Sequence, residues 1–303
     1  MQILNITNMC KTYKNGKVAL NNLSLTVNKG DFIGLLGVNG AGKSTLINIL
    51  GDIVIKTSGK AVVNGYDFDT DKINFKRSIG IVPQETTFDP FSTAYEALQI
   101  QQGLFGLPFN KERIEEVLVQ LGLADKMHTH ARGLSGGMKR RLLVAKALIH
   151  NPEVIILDEP TAGVDIELRQ QLWEFINLLN KQGRTIILTT HYLEEAQQMC
   201  NKIAIIHNGN MVAYEDKYSL LAKIATKYVT IVLNKSYNND INIKELKLNK
   251  LADNTLRVDY HTDEDIGIII NGITASGYEI KTLKIKEPQL EEVFLALTKK
   301  DVL

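Results

Sequence analysis

The run Gly37-Val38-Asn39-Gly40-Ala41-Gly42-Lys43-Ser44-Thr45 carries the spacing G-x-x-x-x-G-K-S, and these residue types at this spacing bind phosphate. Glycines let successive backbone N–H groups turn inward around an anion with no Cβ in the way. A helix opening at this point adds roughly half a positive charge, aimed at the same place. Lys43 then reaches the β- and γ-phosphates, and the Ser44 hydroxyl is placed to ligate Mg²⁺. The flanks agree. An apolar strand-like run, Phe32 to Leu36, leads in, and a helix-like run, Leu46 to Leu50, leads out. The expected ligand is a nucleoside triphosphate.

A second cluster, Val154-Ile155-Ile156-Leu157-Asp158-Glu159, puts two carboxylates at the end of a buried strand, where ligands sit in an open α/β sheet. Asp158 is placed to hold Mg²⁺ through water, and Glu159 to polarise an attacking water. Leu134-Ser135-Gly136-Gly137-Met138 begins a helical run that ends near Ile149. A Ser and a Gly pair at a helix N-terminus make a second anion site of the same kind, with a plain Ser N-cap as the alternative. His128 and His130 fall in a polar stretch that reads as a loop rather than a zinc site.

These groups need a scaffold that aims them at one point. The first thirty residues alternate apolar and polar (Ile3, Leu4, Ile6; Val18, Leu20, Leu23, Leu25, Val27), which predicts antiparallel strands. Buried-strand signals follow at Phe32–Leu36, Ile79–Val82, Val154–Leu157, Thr185–Leu188 and Ile203–Ile206, with helical segments such as Glu167–Asn180 and Tyr192–Met199 between them. That alternation predicts a largely parallel sheet with helices on both faces. From about Thr93 to His150 the periodicity is helical throughout (Ala94–Gln102, Lys111–Leu121, Gly136–Ile149), which predicts a helical subdomain inserted at about 85–150.

The main domain is expected to span 1–220. Beyond it, residues 235–255 are rich in Asn, Lys and Asp and read as loops and exposed edges. Strand candidates Tyr228–Leu233, Leu256–Tyr260 and Glu279–Ile285 and a helix candidate Asp263–Ser276 surround them. Pro288 opens a last amphipathic helix, Gln289–Thr298, with Leu290, Val293, Phe294 and Leu297 on one face. Residues 221–303 therefore read as a small α+β accessory domain.

The 303 residues are 44% apolar with a net charge of +1, enough for a packed core and too near neutral for a nucleic-acid footprint. No apolar run approaches the roughly 18 residues that cross a bilayer, and Met1-Gln2-Ile3-Leu4-Asn5 lacks a signal-peptide pattern. A cytoplasmic location is the expectation. Cys10 and Cys200 read as incidental thiols.

With those motifs in order, the chain resembles the ATP-binding-cassette (ABC) ATPases, the nucleotide-binding subunits of ABC transporters. The resemblance covers residues 1 to about 220: Tyr13, the Walker A loop (Gly37–Thr45), Gln84, the signature (Leu134–Met138), Walker B (Val154–Asp158) with Glu159, Asp165 and His191. The phrasing Leu134-Ser135-Gly136-Gly137-Met138-Lys139-Arg140-Arg141-Leu142, the loop Ala162-Gly163-Val164-Asp165 and the ending Glu287-Pro288-Gln289-Leu290-Glu291-Glu292-Val293-Phe294 are most similar to the ABC-2 type exporter ATPases, close to the YadG-like members. Val38 replaces the usual Pro, Met138 the usual Gln, and Gly163-Val164 the usual Ala-Leu.

The resemblance implies a P-loop ABC cassette with a RecA-like core and the following roles. Tyr13 stacks on adenine. Asn39, Ala41 and Thr45 bind nucleotide together with Gly37, Gly40, Gly42, Lys43 and Ser44. Gln84 reaches Mg²⁺ or the attacking water, and His191, emerging after the strand Thr185–Leu188, contacts the γ-phosphate. Lys43, Gln84, Glu159 and His191 form the catalytic set, and Ser44, Gln84 and Asp158 the Mg²⁺ set. Ser135, Gly136, Gly137 and Asp165 act across a head-to-tail homodimer that sandwiches two ATP. A separate ABC-2 permease supplies the membrane path and holds the subunit at the inner face of the membrane. Its docking surface is expected between Gln84 and Tyr95, with Phe88 and Phe91, unless those aromatics pack into the core. The alternative is a soluble ABC ATPase acting on ribosomes or DNA; one phosphate loop, one signature and near-neutral charge weigh against it.

Overall fold

Alternation makes Gln2–Thr12 and Val18–Asn28 an antiparallel pair, with Ile6 opposite Leu25 and Met9 opposite Leu23. The computed structural model describes residues 1–85, 88–161, 166–224, 227–238, 241, 243, 246, 248–260, 264–286 and 289–298. Asp165, with Ala162, Gly163 and Val164 before it, lies outside the described residues, as does Pro288. The chain divides into two compact units, Met1–Lys217 and Tyr218–Leu303.

In the first unit, Ser58–Val63 and Tyr66–Asp67 extend the N-terminal pair into a four-stranded sheet. Its inward residues Leu4, Ile6, Leu23 and Leu25 share one core with Leu46, Ile49 and Leu50 of the helix Lys43–Leu50. Beside it lies a six-stranded sheet ordered Asn210–Asp216, Lys202–His207, Phe32–Leu36, Thr185–Thr189, Val154–Asp158, Ile79–Val82. All its pairings are parallel except the hairpin of Lys202–His207 with Asn210–Asp216. Phe32–Leu36, Val154–Asp158 and Thr185–Thr189 are buried at every position, as strands covered on both faces must be.

Register matters most for the site. Leu35 pairs with Thr189, Thr189 with Asp158, and Leu157 with Val82. The C-terminal ends of four neighbouring strands are thereby level, and the phosphate loop, Gln84, Glu159 and His191 all leave the sheet at that one edge.

The inserted segment holds the helices Ala94–Leu104, Lys111–Gln120 and Gly136–Leu148. Each has a side-chain N-cap: Thr93 in a reciprocal capping box with Glu96, then Asn110, then Ser135. The three expected helices are present, and the polar stretch around His128 and His130, read as a loop, is irregular apart from a 3₁₀ turn at Ala131–Gly133. There Thr93 bridges His130, the Ala131 amide donates to Ser92 O at 2.9 Å, and the Tyr95 amide donates to Met127 O at 2.8 Å. Pairing with the lead-in to the first helix satisfies part of this backbone, and the 3₁₀ turn satisfies more, the Gly133 amide donating to His130 O at 2.9 Å.

The second unit is an antiparallel sheet ordered Leu248–Ala252, Thr255–Tyr260, Lys227–Leu233, Ile280–Lys286. Val229, Ile231, Leu256 and Val258 form its core with Ile269 and Ile273 of the helix Glu264–Ala275. Leu248–Ala252, inside the polar stretch read as loops and exposed edges, is an edge strand. In the final helix Leu290–Thr298, Leu290 and Val293 are buried.

Candidate functional site

The phosphate loop joins Phe32–Leu36 to Lys43–Leu50, and two of its glycines are demanded by close packing. A Cβ on Gly37 would lie 2.5 Å from Ile206 O, and one on Gly42 2.6 Å from Ala19 O. Gly40 and Gly42 also hold φ of 83° and 117°, which side-chain-bearing residues rarely adopt. The loop's outer side is thus pressed against backbone while its inner side faces a cavity of about 520 Å³. The Leu46 amide donates to Gly42 O at 3.0 Å as the helix begins, so the first-turn amides of Lys43, Ser44 and Thr45 have no intrahelical acceptor and suit an anion, while the Ala41 amide donates to Val38 O at 3.1 Å.

Tyr13, Asn39, Gly40, Gly42, Lys43, Ser44, Thr45, Gln84, Glu159 and His191 all line that cavity, and so do Lys17 and Ala19, which sequence reasoning did not single out. Tyr13 is 36% exposed; its hydroxyl lies 3.3 Å from Thr45 Oγ1, and Lys11 Nζ stands 4.9 Å from its ring centre. Lys43 is buried, and its ammonium donates to Gly37 O at 2.6 Å and Val38 O at 3.3 Å. Burial lowers its pKa from the ordinary lysine value, while Glu159 and Asp158 act in the opposite direction. An ammonium desolvated and held by two carbonyls is poised to exchange them for phosphate oxygens.

Glu159 is the hub of the opposite wall. Its Oε2 accepts from Gln84 Nε2 at 3.0 Å and lies 3.3 Å from His191 Nδ1. Its backbone is left-handed, φ 46°, in a residue with no special liking for that region. The Glu159 amide donates to both the carbonyl and the hydroxyl of Thr189, each at 3.1 Å. The Thr189 hydroxyl in turn donates to Asp158 Oδ1, as their paired register allows. Gly37, Ala41 and Asp158 are not among the lining residues: Gly37 O accepts from Lys43, Ala41 O accepts from the Gly209 amide at 2.9 Å, and Asp158 is buried.

The Ser44 hydroxyl, the Gln84 amide oxygen and the Asp158 carboxylate are hard oxygen donors of the kind Mg²⁺ takes alongside phosphate oxygens, so the residues fit that ion. Behind them Glu195, 7% exposed, accepts from Thr161 Oγ1 at 2.8 Å and Thr190 Oγ1 at 2.9 Å. It thereby ties the residue two places after Glu159 to the residue before His191. Thr189, Glu195 and the buried Arg140 escaped the sequence reading. For Thr189 a signal existed, a hydroxyl opposite an acid across adjacent strands; for Glu195 the pairing is visible only in three dimensions.

Ser135, Gly136 and Gly137 are not among the residues lining the cavity. Ser135 is exposed and caps its helix, its Oγ accepting from the Met138 amide at 3.2 Å. A Cβ on Gly136 would meet nothing within 4 Å. The capping alternative for Ser135 is therefore realised in the chain, and it leaves the flanking glycine unhindered. The aromatics read as a docking surface are not core residues: Phe91 is 67% exposed, and Phe88 and Tyr95 are half-buried.

The family description "ABC transporter" matches residues 20–162. Along 98% of its length and 98% of the relative's, the chain is 34% identical to the linearmycin resistance ATP-binding protein LnrL of Bacillus subtilis (strain 168). It is 32% identical to the Nod factor export ATP-binding protein I of Rhizobium etli, over 100% of this chain and 95% of that one. Among solved structures, a dimeric post-hydrolysis state of the ATP-binding cassette MJ0796 bound to ADP and Pi superposes with a TM-score of 0.63 at 28% identity, covering 71% of this chain and 98% of that one.

Proposed function

The chain belongs to the ABC transporter family as an ATP-binding subunit and ATPase, and from that premise we propose that it drives export through a separate ABC-2 type permease by closing as a homodimer around two Mg-ATP. One observation carries the reading: the nucleotide cavity is walled by the phosphate loop, Gln84, Glu159 and His191, with the signature residues of the same chain absent from its lining. A head-to-tail partner supplies Ser135, Gly136 and Gly137 to the γ-phosphate, and Asp165 acts across the same boundary. Tyr13 takes the adenine, and Asn39, Ala41 and Thr45 complete the phosphate cradle with the loop glycines.

In that closed state Glu159 polarises the attacking water, and Gln84 and His191, both near its Oε2, keep the carboxylate aimed. Lys43 leaves Gly37 O and Val38 O for the β- and γ-phosphates. Ser44, Asp158 and Gln84 would hold Mg²⁺, which would supply positive charge to offset charge developing on those phosphates. Loss of the γ-phosphate removes what holds the halves together. Export as the direction of transport is supported by relatives named for resistance and for Nod factor export. The permease docks at the exposed surface around Phe88, Phe91 and Tyr95, which fixes the subunit at the cytoplasmic face of the membrane. No observation favours action on ribosomes or DNA.

Glu159→Gln tests the sandwich. With Mg-ATP the variant binds nucleotide, fails to turn over and doubles in mass on light scattering. A mass that stays at 33.9 kDa with saturating nucleotide contradicts the proposal.

A further inference from the structure

Arg140 lies one turn into the helix that Ser135 caps, and its side chain runs away from the signature turn into the interior, where it is 6% exposed. Nε donates to Pro160 O at 2.8 Å. Nη1 donates to Pro83 O at 2.7 Å and Gln84 O at 3.0 Å, and Nη2 to Asp158 O at 3.1 Å and Glu159 O at 2.9 Å. Every one of these acceptors is a backbone carbonyl.

A guanidinium that serves to neutralise an acid presents its fork to the carboxylate. This one gathers carbonyls from two separate chain segments instead. Because the guanidinium is planar with its donors in fixed directions, the five oxygens must lie near one plane. The backbone at Pro83–Gln84 and the backbone at Asp158–Pro160 are thereby set relative to each other, and both relative to the signature helix. Burial pulls the Arg140 pKa down to about 10, with Asp158 and Glu159 opposing, so the group stays charged at neutral pH.

The segment it holds is the one that needs holding. A left-handed non-glycine residue is disfavoured and persists only where its surroundings over-determine it. Around Glu159 they do: Arg140 takes the carbonyls of Asp158, Glu159 and Pro160, and Thr189 takes the Glu159 amide. The Gln84 and Glu159 side chains, 3.0 Å apart, join the same two segments a second time.

We propose that Arg140 is a positioning residue for ATP hydrolysis, setting the backbones of Glu159 and Gln84 in their working geometry and tying both to the helix that begins at the signature turn. A tilt of that helix moves five carbonyls together, so the aim of Glu159 depends on how the signature end is engaged. The inference rests on Glu159 being the group that polarises water.

The test uses full-length R140K and R140Q, each alone and in the E159Q background. Readouts are affinity for a fluorescent ATP analogue, kcat, and single-turnover hydrolysis. Arg140 touches no residue of the phosphate loop, so nucleotide affinity stays within about threefold in both variants. The kcat of R140Q falls about 100-fold, and R140K, which keeps the cation and part of the hydrogen bonding, loses less. In E159Q, where steady-state turnover is lost, the same substitutions change the slow residual single-turnover hydrolysis by less than about twofold, because their route of action is already gone. An undiminished kcat overturns the proposal. So does a collapse of affinity along with kcat, which marks a general support of the lobe, or an equal loss in both backgrounds. E159Q turning over at the wild-type rate is a different failure: it removes the role of Glu159 itself and the inference with it.

Discussion

Two helix N-termini in the first unit carry glycine-rich turns, and their surroundings differ. The turn before Lys43–Leu50 is walled in: Gly37 and Gly42 are pressed on backbone, and Lys43, Glu159 and His191 gather on the open side. The turn before Gly136–Leu148 is exposed at Ser135 and Gly136, with free space where a Cβ would stand. Packing within the chain explains the first pair of glycines and gives no reason for Gly136. A small residue that its own chain does not require fits a surface kept clear for something that arrives from outside. The physical device, amides and a helix dipole at a helix N-terminus, is the same at both; the first faces a cavity, and in the proposed dimer the second closes over the partner's cavity.

The sharpest way to break this comparison is catalytic. Lys43→Ala removes the buried cation at the first turn, and kcat/KM falls about 1000-fold. Gly136→Arg fills the free space at the second and lowers kcat about 100-fold, while nucleotide affinity of the isolated chain is unchanged. Steady-state ATPase assays beside nucleotide titration check both, and a Gly136→Arg chain that hydrolyses normally would remove the signature turn from the site.

A stability measurement sharpens the same contrast. Gly42→Ala places a Cβ 2.6 Å from Ala19 O at a φ of 117° and lowers unfolding free energy by about 3 kcal/mol. Gly136→Ala, with open space and a helical position, changes it by no more than about 1 kcal/mol, in the stabilising direction. Denaturant midpoints decide, and equal losses at the two sites would erase the distinction.

A pH-dependent effect comes from just beyond the far end of the signature helix. His150 stacks on Phe105 with ring centres 3.8 Å apart, and its Nε2 lies 3.0 Å from Ile79 O. Burial lowers its pKa to about 4, the Ile79 carbonyl opposing and Arg113 adding to the shift. The unfolded chain therefore binds a proton near pH 6.5 that the fold refuses until about pH 4, so stability falls as pH drops through that window. Between pH 6.5 and 5 the loss is about 2 kcal/mol, and His150→Asn flattens the slope. Equal pH dependence in both chains would show that His150 is not its source.

Much of this was legible in residue order. The phosphate loop, the two acids after Val154–Leu157 and His191 each sit where a buried apolar run stops, and in a parallel sheet such ends converge on one edge. The N-terminal strands were legible from their alternation. Ser58–Val63, Asn210–Asp216 and the helix Lys72–Arg77 were not singled out, because short segments with Gly, Lys and Asn among few apolar residues carry weak periodicity. The internal bracing was also hidden. Arg140 reads in sequence as one of three consecutive cations on a helix, and only tertiary packing turns it inward to five carbonyls while its neighbour Arg141 donates to Leu121 O. Glu195 likewise looks like one of two adjacent surface acids until Thr161 and Thr190 are brought to it.

The most direct measurement mixes two disabled chains. Lys43→Ala keeps an intact signature turn, and Gly136→Arg keeps an intact phosphate loop, so a mixed pair contains one whole reaction centre. On titrating one into the other, ATPase activity should rise from near zero to about a quarter of the wild-type rate at equal amounts, since half the dimers are mixed and each has one of two sites. A mixture that stays as inactive as its components would contradict the claim that two chains build each site.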